Sequence, residues 1–461
     1  MSRFSDVVIL IPGIIGSELS KDGQVIWGAS ASVFWNALAL DGISKLALHA
    51  QGSLDEDIGD GVVATGILRR PALIPDFWKI GTYQDLSAGL QSALGLSNGQ
   101  NFFEFAYDWR RDNRVAASKL AKAAHVWLAA WRGSSGNDKA KLILVAHSMG
   151  GLVARHFVEA MDGWKTTKAT FAVSTPFGGS GNAISFLSNG LQKRWMPGHV
   201  SEAINKVRDF DSIYQLLPTG EFVTDGAGKA SRVIDVTIPN IDRGRAIEAL
   251  KFHTDLSSRA KSNLDESGYA QRRGPMRTVI GTEQPTSGFA TLQPDGSILC
   301  DGGTSGNRLL WGDGTVPRAS ATPAEVGEEV AAFVPTGHAV IPSHQSTIAH
   351  ITNAIAGLPE VTLRDRGGHG TISLIIEDMY PVDEPVIIHA ITGVSAQYLE
   401  LTIKPVDSAT APFTTRMYPK DGRYRWQGDL PVGVYEATAA CMGAEAAGDI
   451  FFVQPVFSEH P

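Results

Sequence analysis

Between Lys141 and Met161 the chain changes character at one residue. Lys141–Ala146 is almost wholly apolar, and Met149–Met161 then places Leu152, Val153, His156, Phe157 and Ala160 on one face at helical spacing. An apolar run without polar alternation reads as a strand buried on both faces, which a parallel sheet covered by helices provides. The joint is Ala146-His147-Ser148-Met149-Gly150-Gly151. A serine on so sharp a strand-to-helix turn sits in strained backbone, so its neighbours two places away must be small; here they are Ala146 and Gly150. The following helix aims free N–H groups and its positive end at whatever reacts with Ser148. Ser148 is therefore a candidate nucleophile.

Around that joint, residues 1 to about 360 alternate strands and helical patterns, as a parallel sheet with crossover helices requires. Val7–Ile11 is a short buried strand stopped by Pro12-Gly13. A helix runs from Ala116 through His125 to Trp131, and Thr170–Ser174 and Arg277–Ile280 are further strands. Residues 181–273 exceed a single crossover and carry helical stretches at Ala183–Trp195 and Arg245–Leu256, so they read as a cap insertion. Residues 361–461 hold seven short strand-like runs separated by Gly, Pro and Asp, a smaller C-terminal domain of β-sandwich type.

A serine hydroxyl needs a base, and the base needs an orienting carboxylate. In an α/β-hydrolase fold these follow in the order serine, acid, histidine. Downstream of Ser148, Trp311-Gly312-Asp313-Gly314-Thr315-Val316-Pro317 sets Asp313 in a tight loop, and Asp313 is the acid. Asp60, in a second Gly-Asp-Gly, lies upstream and is disfavoured by order. His344, in the loop Pro342-Ser343-His344-Gln345-Ser346 just before a helix, is read as the base, with His338 the runner-up. Met149 supplies one oxyanion N–H from its backbone. The loop Ile11-Pro12-Gly13-Ile14-Ile15-Gly16-Ser17 can turn the N–H of Ile14 toward the same place, although it reads equally well as a plain turn.

Five motifs in order complete the pattern: Ile11–Ser17, Tyr107-Asp108-Trp109-Arg110, Ala146–Gly151, Ser174-Thr175-Pro176-Phe177-Gly178-Gly179-Ser180, and Gly312-Asp313-Gly314-Thr315-Val316. Together they resemble the lecithin:cholesterol acyltransferase family of phospholipases and acyltransferases. The resemblance implies an α/β-hydrolase fold with a helical cap, Ser148, Asp313 and His344 as triad, Ile14 and Met149 as oxyanion donors, and a lipid acyl ester, in first place a phospholipid, as substrate. It also suggests that Trp27 lies near the acyl groove. The C-terminal region has no counterpart in the resemblance.

Composition narrows the function classes. Forty Lys plus Arg against 48 Asp plus Glu leave a net charge of −8, which argues against a nucleic-acid partner. Two cysteines, Cys300 and Cys441, are too few for a disulfide framework and fit a reducing cytosol. Val7–Ile11 breaks too early for a secretory signal, and no window of 18 apolar residues occurs. Asp55–Gly61 lacks calcium-loop spacing, and no zinc pattern or phosphate loop is present, so neither metal nor cofactor is expected. The expected activity is acyl hydrolysis or transfer in the cytoplasm; Ile184, Leu187, Leu191 and Trp195 form a stripe beside Lys193 and Arg194 that reads either as a helix packed on the core or as membrane contact through the cap, and the resemblance favours the second. A hydrolase of non-lipid esters or amides is the alternative, and so is a protein- or glycan-binding role led by the C-terminal domain. All five motifs precede residue 360, so a chain ending there is expected to keep ester turnover.

Overall fold

The computed structural model describes residues 4–28, 43–48, 60–74, 77–190, 208–225, 228–269, 276–300, 311–328, 331–358, 370–406 and 410–455. Its centre is a six-stranded sheet of β1 (Val7–Ile11), β2 (Phe102–Glu104), β3 (Leu142–His147), β4 (Thr167–Val173), β5 (Met276–Gly281) and β6 (Ala332–Val334), in the order β2-β1-β3-β4-β5-β6. Every pairing is parallel. β1 and β3 are buried along their whole length, which explains their unbroken apolar sequences. Helix α1 (Asn113–Ser135) begins where Asp112 accepts the N–H of Arg114, and it packs on α2 (Gly150–Ala160), the helix that follows Ser148.

The cap holds more β-structure than its sequence suggested. Alongside α3 (Gly181–Asn189) and α4 (Arg243–Asn263) it contains Glu221–Thr224 and Ala230–Arg232, which join Ala290–Leu292 and Ile298–Cys300 in a small four-stranded sheet. α3 ends at Gly190, so the Ala183–Trp195 stripe is helical only to Asn189; Leu191, Lys193, Arg194 and Trp195 lie outside the described residues.

α4 docks on α2 with Asn263 Nδ2 donating to the buried Glu159 carboxylate at 3.0 Å. Imidazole Nε2 of His253 lies 2.8 Å from the Gln215 carbonyl, and His156 stacks on Phe252 with ring centroids 5.7 Å apart. Burial first, and then Arg155 and Arg114 nearby, push His253 down to about 4. The folded chain thus keeps His253 neutral to about pH 4, whereas the unfolded chain protonates it near pH 6.5. Its contribution is complete above pH 6.5 and declines as pH falls toward 4, by about 1.4 kcal/mol per unit. Melting temperature is expected to drop across that window and to drop less in His253→Gln, which keeps a donor for Gln215. Parallel pH curves for the two proteins would remove His253 as the cause.

Eight C-terminal strands form one sheet in the order Ile372–Ile375, Val386–Thr392, Arg423–Gly428, Phe413–Lys420, Leu399–Pro405, Gly433–Cys441, Ala444–Gln454, Met379–Pro381. The sandwich-like packing arises from this single sheet curling over its own core of Val386, Ile388, Leu399, Leu401, Ile403, Met417 and Phe451. The strand Ala444–Gln454, next to the edge strand Met379–Pro381, turns other residues, Ile450 and Phe452, into the main core that also holds Val340 and Ile341.

Candidate active site

Ser148 lies where β3 ends and α2 begins, at φ 56°, a left-handed conformation that strains a serine. The fold holds it there by donating the Ser148 N–H to the Val173 carbonyl of the neighbouring strand at 2.8 Å. The crowding that sequence demanded is real. A Cβ on Gly150 would stand 2.3 Å from the Pro12 carbonyl oxygen, and one on Gly13 would stand 2.7 Å from Ser148 Cβ. The Pro12-Gly13 turn therefore presses directly on the serine, which brings Ile14 beside it. Both Ile14 and Met149 are fully buried.

Asp313 and Ser148 come together, but the histidine between them is His338. Its Nε2 is 3.0 Å from Ser148 Oγ, and its Nδ1 is 2.6 Å from Asp313 Oδ2. Asp313 Oδ1 accepts the N–H groups of Thr315 (2.9 Å) and Val316 (2.7 Å), so the loop's own backbone aims the carboxylate. His338 N–H donates to the Asp313 carbonyl at 2.9 Å, which ties the two loops directly. A carboxylate with its oxygens already in hydrogen bonds accepts from Nδ1–H, and this leaves the Nε2 lone pair facing the serine.

His344 is not part of this arrangement. It caps the helix Gln345–Ala356, its Nδ1 accepting the Ser346 N–H at 3.2 Å, and burial lowers its pKa despite nearby Glu445. The expectation of His344 as base is corrected on that ground: its ring is spent on a helix N-terminus. The structure shows what places His338: Ala332–Val334 is a strand, and Thr336-Gly337-His338 follows its carboxyl end, the edge where β3 also delivers Ser148.

The Tyr107–Arg110 motif and Trp27 brace the loop at Ile11–Ser17. Tyr107 hydroxyl donates to the Pro12 carbonyl (3.0 Å), Trp109 indole to the Ser17 carbonyl (3.1 Å), and Trp27 indole to the Ile15 carbonyl (2.8 Å). Fully buried Arg110 pairs with Asp108 at 2.7 Å and with Asp60 at 2.8 Å, which gives the second Gly-Asp-Gly a structural role. Tyr83, which sequence reasoning passed over, accepts the Gly13 N–H at 2.8 Å and lies 2.9 Å from His147 Nδ1. Burial, and then neighbouring His338, hold His147 well below the ordinary imidazole range, so the ring that faces the Tyr83 hydroxyl is neutral.

Ser148 is 0% exposed, His338 1% and Asp313 2%. Phe77, Trp78 and Ile80 close over them, with Phe77 stacked on Phe186 at 4.6 Å. A hydroxyl, an imidazole and a hydrogen-bonded carboxylate in one buried chain can take a proton from the hydroxyl and return it to a leaving group. Among the described residues no group of three His, Cys, Asp or Glu is placed to hold a metal ion, and no helix is long and apolar enough to cross a membrane.

An all-parallel sheet with a strained serine elbow on a central strand, and acid and histidine delivered from later strand ends, defines an α/β hydrolase. Residues 79–264 match the family model for lecithin:cholesterol acyltransferase, the family that the five motifs resemble. Asp313, His338 and the Ile11–Ser17 loop fall outside the matched segment. No curated protein matches the chain. Similar solved structures include Phospholipase PlaB from Legionella pneumophila, 12% identical over 98% of this chain and 90% of that one, TM-score 0.35. Bacillus licheniformis lipase BlEst2 in mature form is 14% identical over 75% and 90%, TM-score 0.30. The peroxisomal alpha-beta-hydrolase Lpx1 from Saccharomyces cerevisiae is 10% identical over 79% and 81%, TM-score 0.26. The family match supports acyl-ester hydrolysis or transfer as this chain's chemistry.

Proposed function

We propose that this protein is a serine acyl hydrolase or acyltransferase of lipid esters, phospholipids foremost, working through an acyl-serine intermediate. The observation that carries the reading is the unbroken chain Ser148 Oγ, His338 Nε2, His338 Nδ1, Asp313 Oδ2 at 3.0 and 2.6 Å. His338 takes the Ser148 proton as Oγ attacks the acyl carbonyl, and Asp313 stabilises the imidazolium that results. The N–H groups of Met149 and Ile14 receive the oxyanion, the second because Gly13 abuts Ser148. His338 then protonates the departing alcohol. Water completes a hydrolysis and a second alcohol completes a transfer.

The lipid part of the reading rests on the family match and on the aromatic run that leads from the base, Trp78 against His338, Phe77 against Trp78 and Phe186 against Phe77. A bilayer substrate requires contact with a membrane surface, but Ile184 and Leu187, the described part of the stripe, are buried in the main core, so the stripe does not supply that surface there. A fluorophosphonate probe is expected to label the wild type and not Ser148→Ala, with both proteins melting alike; labelling that survives the substitution sinks the nucleophile. Mixed phospholipids, neutral glycerides and p-nitrophenyl esters, with products identified by mass, then test the substrate class. Fatty acid released from the p-nitrophenyl esters alone would turn the reading toward non-lipid esters.

A further inference from the structure

Trp78 begins a three-residue strand, Trp78–Ile80, paired with Ala72–Ile74. Its indole Nε1 lies 3.1 Å from His338 Nε2, and the two rings meet edge to face with centroids 5.4 Å apart. Indole N–H can only donate. Nδ1 of His338 is engaged by Asp313, so the Trp78 N–H and the Ser148 hydroxyl both draw on the one Nε2 lone pair.

That geometry cannot survive turnover. When Nε2 takes the serine proton, the new imidazole N–H is held by the serine oxygen, and the indole N–H, 3.1 Å away, faces a nitrogen with no lone pair left to accept it. The indole also stands where chemistry needs an oxygen. Protonated Nε2 must next hand its proton to the leaving alcohol, and later take one from water or an accepting alcohol, along that same free direction. We propose that Trp78 is a gate seated on the base: it holds the position of the substrate's alcohol oxygen, keeps Ser148 covered, and is displaced by the entering ester. This rests on the serine mechanism proposed above.

The surroundings allow such a movement. Phe77 and Trp78 border a cavity of about 160 Å³ shared with Asn182, Gln284, Leu374 and Asp378, which gives the ring space to turn. The next residue does not share that freedom. Lys79 is clamped between Asp378 at 2.9 Å and Asp449 at 2.7 Å, and Gly81 N–H donates to the Ala339 carbonyl at 3.0 Å. The strand thus stays anchored while the ring pivots.

The test is the rate at which a small soluble fluorophosphonate labels the full-length wild type, Trp78→Phe, Trp78→Ala and Ser148→Ala, beside their melting temperatures. Trp78→Phe keeps most of the bulk and loses the N–H, so labelling is expected to quicken roughly 2- to 10-fold, the worth of one hydrogen bond. Trp78→Ala should quicken it further. Labelling that is unchanged or slower in Trp78→Phe overturns the gate and leaves Trp78 as packing or as support for the base. Solvent exchange of the wild-type Trp78 indole N–H, assigned as the resonance that Trp78→Phe lacks, gives a second readout: it rises once Ser148 is phosphonylated, and exchange that stays constant likewise overturns the gate. A wild type that does not label, or a Ser148→Ala that does, overturns the serine mechanism itself, and the gate with it.

Discussion

Replacing His338 with alanine is expected to lower kcat/KM on a soluble ester by roughly 10³- to 10⁶-fold, the range seen when one member of such a triad is removed. The size follows from its place: His338 is the group that touches both Ser148 (3.0 Å) and Asp313 (2.6 Å). His344→Ala is expected to leave turnover within a few fold, since His344 caps a helix; losing a cap costs about 1 kcal/mol of stability. The pair separates two histidines six positions apart in sequence. A dead His344→Ala at unchanged melting temperature, with an active His338→Ala, would reverse the assignment.

The same pair shows where sequence reasoning reached and where it stopped. Ser148 was legible because a strained elbow imposes small neighbours, and Gly150 meets that demand within 2.3 Å of another backbone. Asp313 was legible because its loop must fold back to donate two N–H groups to its own carboxylate, and the glycines on either side advertise such a loop. His338 and His344 both follow turn residues after a strand-like run, and a rule favouring loops before helices chose the wrong one. The three residues of Ala332–Val334 are too few for alternation to declare a strand, so its carboxyl end went unrecognised. Trp78 and Tyr83 had no local signal. Their roles exist only through His338, Gly13 and His147, which are distant in sequence. The cap's small sheet was hidden for a similar reason, since it pairs Glu221–Thr224 with Ala290–Leu292 across the whole of α4.

A chain ending near residue 360 is expected to lose fluorophosphonate labelling by at least about 100-fold and to melt lower, or not to fold, contrary to the independence that the order of motifs suggested. The C-terminal sheet bears on the base itself. Gly337 N–H donates to the Gly448 carbonyl at 3.1 Å, and the Thr336 hydroxyl bonds Gly448 at 3.2 Å, so the loop that presents His338 is held on both preceding residues by the strand Ala444–Gln454. The same strand supplies Asp449 to Lys79, the residue after Trp78, and Asp378 completes the clamp. Burial pulls the Lys79 ammonium down, yet the two facing carboxylates outweigh it and keep it charged. Removing both acids strands that charge, a loss of about 3–5 kcal/mol for a buried pair broken on one side. Ile450 and Phe452 would also leave the main core beside Val340. Because a truncation can fail simply by unfolding, the full-length Asp378→Ala/Asp449→Ala variant carries the decisive comparison. It keeps Gly448 against Thr336 and Gly337 while stranding Lys79, so it is expected to melt lower yet still label, which separates lost stability from the lost brace on His338. A folded truncation that labels at the wild-type rate would mean that Thr336–His338 keeps its course without Gly448, and that the sheet serves some purpose apart from the triad.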